Sequence, residues 1–247
     1  MRVLLRTGKE YVCAMRLHES LDEEIVREAA SRFVGEIYQR PPLRSSVKRV
    51  VRKRTIYYIK DLELQDNNVI FRVGCQAGTY IRKLCFDLGE LLGSGAHMVE
   101  LRRTRAGPFN EEDLISLYDL NYAYSLWKNE EDESYLREAV KPVESAFQLT
   151  PKIYIRDSAV DALCHGADLA VPGILKLHSE IKPNNIIGVF TQKEEIICLA
   201  TALMSSKQII EEDHGIAAKI ERVIMPTGVY PSLWKKNKLK DKEKVKD

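Results

Sequence analysis

The sequence has no apolar run approaching the ~18 residues that carry a helix across a bilayer. Ahead of Arg6 the only apolar run is Val3-Leu4-Leu5, too short for the core of a secretory signal. Cysteines are few, odd in number and widely spaced: Cys13, Cys75, Cys85, Cys164 and Cys198. That excludes a disulfide framework and suits free thiols in a reducing compartment. There is no C-x-x-C and no H-E-x-x-H, and His18, His97, His165, His178 and His214 lie far apart, so no metal site is expected. No G-x-S-x-G elbow occurs, and the cysteines sit among apolar neighbours as core thiols do. What remains is a chain of 247 residues, 45% apolar and 30% charged, the balance of a folded soluble protein. Its net charge of +2 is uneven. Residues 235–247 hold seven Lys against three acids, so the body before them is slightly acidic. That end reads as a disordered tail, either solubilising or acting as a nuclear address or a loose nucleic-acid contact.

Strand-forming residues run from Tyr11 to Leu17. Ser20 to Glu23 has capping-box spacing, and Ile25, Val26, Ala29, Ala30, Phe33 and Val34 then follow a helical period. Gln39-Arg40-Pro41-Pro42 breaks that helix. Thr55–Leu64 and Val69–Gln76 read as a hairpin around Asp66-Asn67-Asn68. Gly78-Thr79 opens a second helix that Gly93-Ser94-Gly95 ends, and a strand from Met98 to Thr104 follows. The stretch 110–145 is acidic and helix-prone. Beyond it a short helix, Ser158–Cys164, precedes strands at Ala170–Leu175, Ile186–Phe190, Ile196–Leu203 and Ala217–Met225. The expected architecture is α+β: a mixed or antiparallel sheet with helices over 1–146, a small β-barrel over 147–234, and the tail.

Three clusters carry chemistry. Arg40, Arg44, Lys48, Arg49, Arg52, Lys53 and Arg54 fall within fifteen residues that contain no acid. Such density neutralises phosphates, or else forms a surface loop with excess charge. Arg102, Arg103 and Arg105 form a second cluster. Strand alternation predicts Arg103 and Arg105 on one face, with Arg102 and Thr104 on the other. Gly78-Thr79-Tyr80 would present open backbone amides to an anion beside Arg82, unless Thr79 simply caps the helix.

Several strings, in order, resemble one family: Lys9-Glu10-Tyr11-Val12, Gln39-Arg40-Pro41-Pro42, Gly78 to Leu84, and Gly95 to Arg103. They are similar to motifs of the TruB/dyskerin pseudouridine synthases. Asp157 to Ala162, His165-Gly166-Ala167-Asp168-Leu169 and Val171-Pro172-Gly173-Ile174 resemble the PUA domain of the dyskerin branch, and Asp213 to Ile220 looks closer to the eukaryotic form. The resemblance implies catalytic roles for Tyr11, which would stack on the target base, for Arg82, which would pair with the reacting carboxylate, and for Leu101, which would exclude water. It implies RNA contacts at His165, Gly166, Ala167, Asp168, Leu169, Pro172 and Gly173. It also implies RNA-guided conversion of uridine to pseudouridine without metal or organic cofactor, and a nuclear, nucleolar location. The implied partners are a guide RNA of the H/ACA class, a substrate RNA, small Nop and Gar proteins and a kink-turn-binding subunit; no membrane is implied. The family's nucleophilic aspartate lies in a G-T-L-D-P string that is absent here and would fall before Met1. The chain alone is therefore expected to be inactive, or an RNA-binding scaffold. A protein-interaction module with an incidental basic loop is the third reading. Loss of upstream strands would leave an unpaired edge or uncovered apolar surface near Tyr11 to Leu17.

Overall fold

The run around Tyr11 becomes β1 (Lys9–Leu17) in a structure, a computed structural model, that describes residues 4–5, 7–41 and 48–232. Chain contacts divide it into two units, residues 1–139 and 140–247. After β1 the first unit adds α1 (Glu23–Ser31), β2 (Gly35–Gln39), β3 (Arg52–Gln65), β4 (Asn68–Cys75), α2 (Ile81–Leu92), β5 (Ala96–Ala106), β6 (Phe109–Asn110), α3 (Leu117–Glu130) and α4 (Ser134–Ala139). The strands form one antiparallel sheet in the order β2-β3-β4-β1-β5-β6.

Alternation along β1 turns Cys13, Met15 and Leu17 to one face. There they meet Val26, Ala29 and Ala30 of α1 and Ile81, Leu84, Cys85 and Leu88 of α2. Gly89 lets α2 lie close on β5, since a Cβ there would come within 2.2 Å of the Ala96 nitrogen. A left-handed Gly93 ends α2, as its position in the sequence implies.

Four sequence expectations change. β1 is not an edge: β4 and β5 pair with it on either side, and the sheet ends at β2 and β6. The Ser20–Glu23 box does not form. Asp22 stands at the N-cap of α1, and the Glu23 carboxylate pairs with Arg27 and accepts the Leu64 N–H. The first helix stops at Ser31, and Gly35–Gln39 becomes a strand on β3. The second helix begins at Ile81, because Thr79 and Tyr80 are held in the preceding turn.

The second unit opens with a 3-10 turn, Val143–Phe147. Phe147 is buried, its ring 6.0 Å from that of Phe190, so this turn packs on the second unit's own strands. It continues with β7 (Lys152–Ile155), α5 (Asp157–Cys164), β8 (Leu169–Ala170), β9 (Ile174–Leu177), β10 (Ile186–Phe190), β11 (Ile196–Ala202), α6 (Ser206–Glu211) and β12 (Ile216–Val223). The sheet order is β8-β12-β11-β10-β7-β9, with β7 and β10 parallel. β8 and β9 sit at opposite edges, yet only Val171–Gly173 separates them in sequence. A flat sheet of this width spans ~24 Å, more than that linker can cover, so the sheet curls into a barrel-like form. Ile153, Ile155, Val160, Leu163, Leu169, Ile187, Val189 and Ile197 fill it.

Candidate RNA-binding and catalytic site

Across the β1–β5 ladder Cys13 faces Leu101 and Tyr11 faces Arg103. Tyr11 and Leu101 are therefore diagonal neighbours on the helix-covered face. Tyr11 packs partly on the core there, and Leu101 is 37% exposed. Cys13 Sγ lies 3.5 Å from Cys85 Sγ on α2. Arg82 sits one helical turn before Cys85, so the three residues flank a single contact between β1 and α2. Arg82 is exposed and forms no hydrogen bond or ion pair among the described residues, whereas Lys83 beside it pairs with Asp87 at 2.5 Å.

Burial raises the Tyr11 phenol above its usual range, and nearby Cys75 adds to this; a hydrogen bond and the charge of Arg103 oppose it. Tyr11 therefore remains a neutral phenol at physiological pH. It offers an aromatic face and a hydroxyl, not a phenolate.

The ladder shifts register between Glu10 and Tyr11, where Glu10 faces Arg105 and Tyr11 faces Arg103. This bulge overturns the expected alternation, because Arg103 and Arg105 lie on opposite faces. Arg103 joins Tyr11. Arg105 Nη2 donates to the Tyr58 hydroxyl at 3.2 Å on the far face. There the Glu10 carboxylate accepts from the Tyr58 hydroxyl, from Thr104 Oγ1 at 2.8 Å and from Arg72 Nη1 at 3.0 Å. Burial acts to raise the Glu10 pKa, but these hydrogen bonds outweigh it and bring the value to about 2. Arg102 pairs with Glu111.

The anion cradle expected at Gly78-Thr79-Tyr80 is not open. The Thr79 N–H donates to the Gln76 carbonyl at 3.2 Å, and the Tyr80 N–H donates to Gln39 Oε1 at 3.0 Å. Thr79 is no cap either, since its hydroxyl also donates to Gln76 O. Gln39, 2% exposed, also donates from Nε2 to the Tyr80 carbonyl at 3.2 Å. The sequence places Gln39 in a helix break and in one of the family-like strings, but gives it no partner. No local pattern marks a polar residue that will be buried by a segment forty residues away.

In the basic segment, Arg40, Lys48 and Arg49 are exposed around the loop, and Arg52, Lys53 and Arg54 begin β3. Arg44 lies outside the described residues, as does the Lys-rich end. Lys53 pairs with Glu36 at 2.6 Å. The guanidinium of Arg54 donates to the carbonyls of Gly78 and Lys53. Arg40, Lys48, Arg49 and Arg52 have no carboxylate partner among the described residues, so their charge faces outward unneutralised.

In the second unit His165 to Asp168 and Pro172 are exposed, and Gly173 is partly so. His165, Gly166 and Ala167 line an open cleft of about 830 Å³ with Asp161, Thr227 and Gly228. One expected contact changes. Leu169 is fully buried, so its side chain belongs to the core. Asp168 Oδ1 accepts the Ile220 N–H at 2.9 Å, which ties the α5–β8 turn to β12. Among the described residues no three His, Cys, Asp or Glu side chains gather as metal ligands.

Residues 82–148 match the tRNA pseudouridylate synthase B C-terminal domain, 151–224 the PUA domain and 5–94 the C-terminal part of Pus10. The chain is 52% identical over 230 residues to the probable tRNA pseudouridine synthase B of Methanosarcina barkeri, covering 93% of this chain and 68% of the relative. The corresponding Methanopyrus kandleri protein is 51% identical over 234 residues, 95% of this chain and 69% of the relative. In a solved Cbf5-Nop10-Gar1 complex, a chain 51% identical superposes with TM-score 0.91 over 94% of this chain and 71% of its own length. A second match, at 48% identity and TM-score 0.86, comes from an H/ACA ribonucleoprotein bound to a substrate RNA containing 2'-deoxyuridine, over 94% of this chain and 72% of that one. The chain therefore belongs to the TruB/Cbf5-type pseudouridine synthases and carries their C-terminal PUA domain.

Proposed function

We propose that this chain holds uridine in RNA for its isomerisation to pseudouridine, with the RNA presented by a guide of the H/ACA class. The reaction breaks the N1–C1′ bond, forms C5–C1′, and exchanges the proton on C5 for one on N1. The carrying observation is the grouping of Tyr11 and Leu101 on one face beside the α2 start that bears an unpaired Arg82. A flipped base needs an aromatic platform and a dry wall. Neutral Tyr11 supplies the first and Leu101 the second. Arg82 supplies a cation for the reacting carboxylate or the nucleotide's phosphate.

The basic loop tracks the RNA backbone, and the cleft beside His165 and Gly166 holds the guide. Partners of the kind named in the similar complexes, small Nop and Gar proteins, complete the assembly together with a kink-turn-binding subunit. The reacting aspartate is the part this chain does not contribute. Glu10 points to the far face and is fully engaged, and Asp87 is paired with Lys83. The chain alone then acts as the RNA-holding part. Release of tritium from C5-labelled uridine tests this. We expect none from the 247-residue chain, and release once a segment bearing the G-T-L-D-P aspartate is joined ahead of it. Turnover by the chain alone, or none after joining, overturns the reading.

A further inference from the structure

We infer that Gln39 is a positioning residue: it fixes the start of α2, and with it Arg82, to the strands that flank the basic loop. This rests on the role for Arg82 proposed above. Gln39 ends β2, one residue before the basic segment begins at Arg40. Its amide grips the Tyr80 backbone twice, accepting from N–H at 3.0 Å and donating to the carbonyl at 3.2 Å. Tyr80 is the N-cap of α2, with extended backbone and no side-chain cap. The helix's first turn is thus anchored from another strand, where a cap residue would normally anchor it.

The other side of the loop grips the same turn. Arg54 on β3 donates to the Gly78 carbonyl at 3.2 Å. The Thr55 N–H donates to Gln76 Oε1 at 3.2 Å, and the Gln76 N–H donates back to the Thr55 carbonyl at 2.8 Å. Gln39 and Arg52 face each other across the β2–β3 ladder, so both grips belong to one hairpin whose connection is the basic loop. The strand ends on both sides of the basic loop and the start of α2 are therefore tied to one another. Gln39 is the member with no other task, since it is buried and cannot touch RNA.

Gln39→Met keeps the volume and removes both hydrogen bonds. In the 247-residue chain we expect amide hydrogen exchange at residues 80–84 to accelerate about tenfold, as removal of a buried hydrogen bond implies, with the β1 core amides unchanged. Unaltered exchange at 80–84 overturns the inference. Affinity for an RNA with an ordinary phosphate at the target uridine is then compared with that for the same RNA carrying a neutral methylphosphonate there. Gln39→Met reduces the preference for the charged phosphate and leaves the preference for uridine over an abasic site intact, whereas a general loss of folding lowers both and overturns the inference. In an Arg82→Ala background the preference for the charged phosphate is already gone and Gln39→Met removes nothing more; an additive loss also overturns it. Gln39→Asn, which withdraws the amide by one methylene, gives the same pattern should the Met variant fail to fold. If the unaltered chain shows no preference for the charged phosphate, the reading of Arg82 fails, and the exchange experiment alone decides the role of Gln39.

Discussion

The two six-stranded sheets cover themselves in different ways. In the second unit β10 and β11 are buried along their length except at Ile186 and Thr201. In the first, β5 is buried only at Ala96, and Val99 and Leu101 stand exposed. Curling puts one face of the second sheet around a closed core. The first sheet stays open, its covered face under two helices and its margin available for chemistry. In the function proposed above, the open margin receives the flipped base and the closed barrel carries the guide.

The largest test of this contrast is Leu169→Ala against Val99→Ala. Leu169 fills the closed core, so its truncation costs about 2–5 kcal/mol in urea unfolding, while Val99→Ala stays within about 0.5 kcal/mol. Equal losses would mean that β5 is as tightly covered as the barrel. An intermediate effect concerns charge. Replacing Arg44, Lys48 and Arg49 together by Ala lowers RNA affinity and flattens its salt dependence, the log–log slope falling by close to one for each phosphate that the loop no longer neutralises. Fluorescence anisotropy across a KCl series reads this, and unaltered binding removes the basic loop from the RNA interface. The smallest effect concerns acid. The folded-state pKa of Glu10, about 2, lies below its ordinary 4.5. Its stabilisation is complete above pH 4.5 and is lost as the pH falls toward 2. Glu10→Gln removes that dependence, so the stability gap between variant and parent narrows on acidification. A gap that is constant between pH 5 and 2.5 in a thermal melt shows that the far-face network is not what holds Glu10 ionised.

Much of this was legible in the chain itself. Strands at Tyr11–Leu17 and Ile186–Phe190, the hairpin at Asp66-Asn67 and the helix closed by Gly93 follow from period and turn residues within short windows. The five cysteines are buried as their apolar neighbours implied. Short strands such as Gly35–Gln39 and Lys152–Ile155 were missed, since a few residues of either period look alike. The resemblance offered Leu169 as an RNA contact, yet its side chain is in the core, because sequence order does not say which residue of an exposed turn folds back.

Composition, periodicity and motif order by themselves determined the two-part architecture, the burial of the thiols, the charge of the loop and the family. Only tertiary structure decided that a bulge parts Arg103 from Arg105, that the amides before α2 are already taken, and that a glutamine forty-one residues upstream holds Tyr80. The first group rests on interactions within a turn or two of chain. The second depends on register and on contacts between distant segments, where displacement by one residue changes which face and which partner a side chain meets.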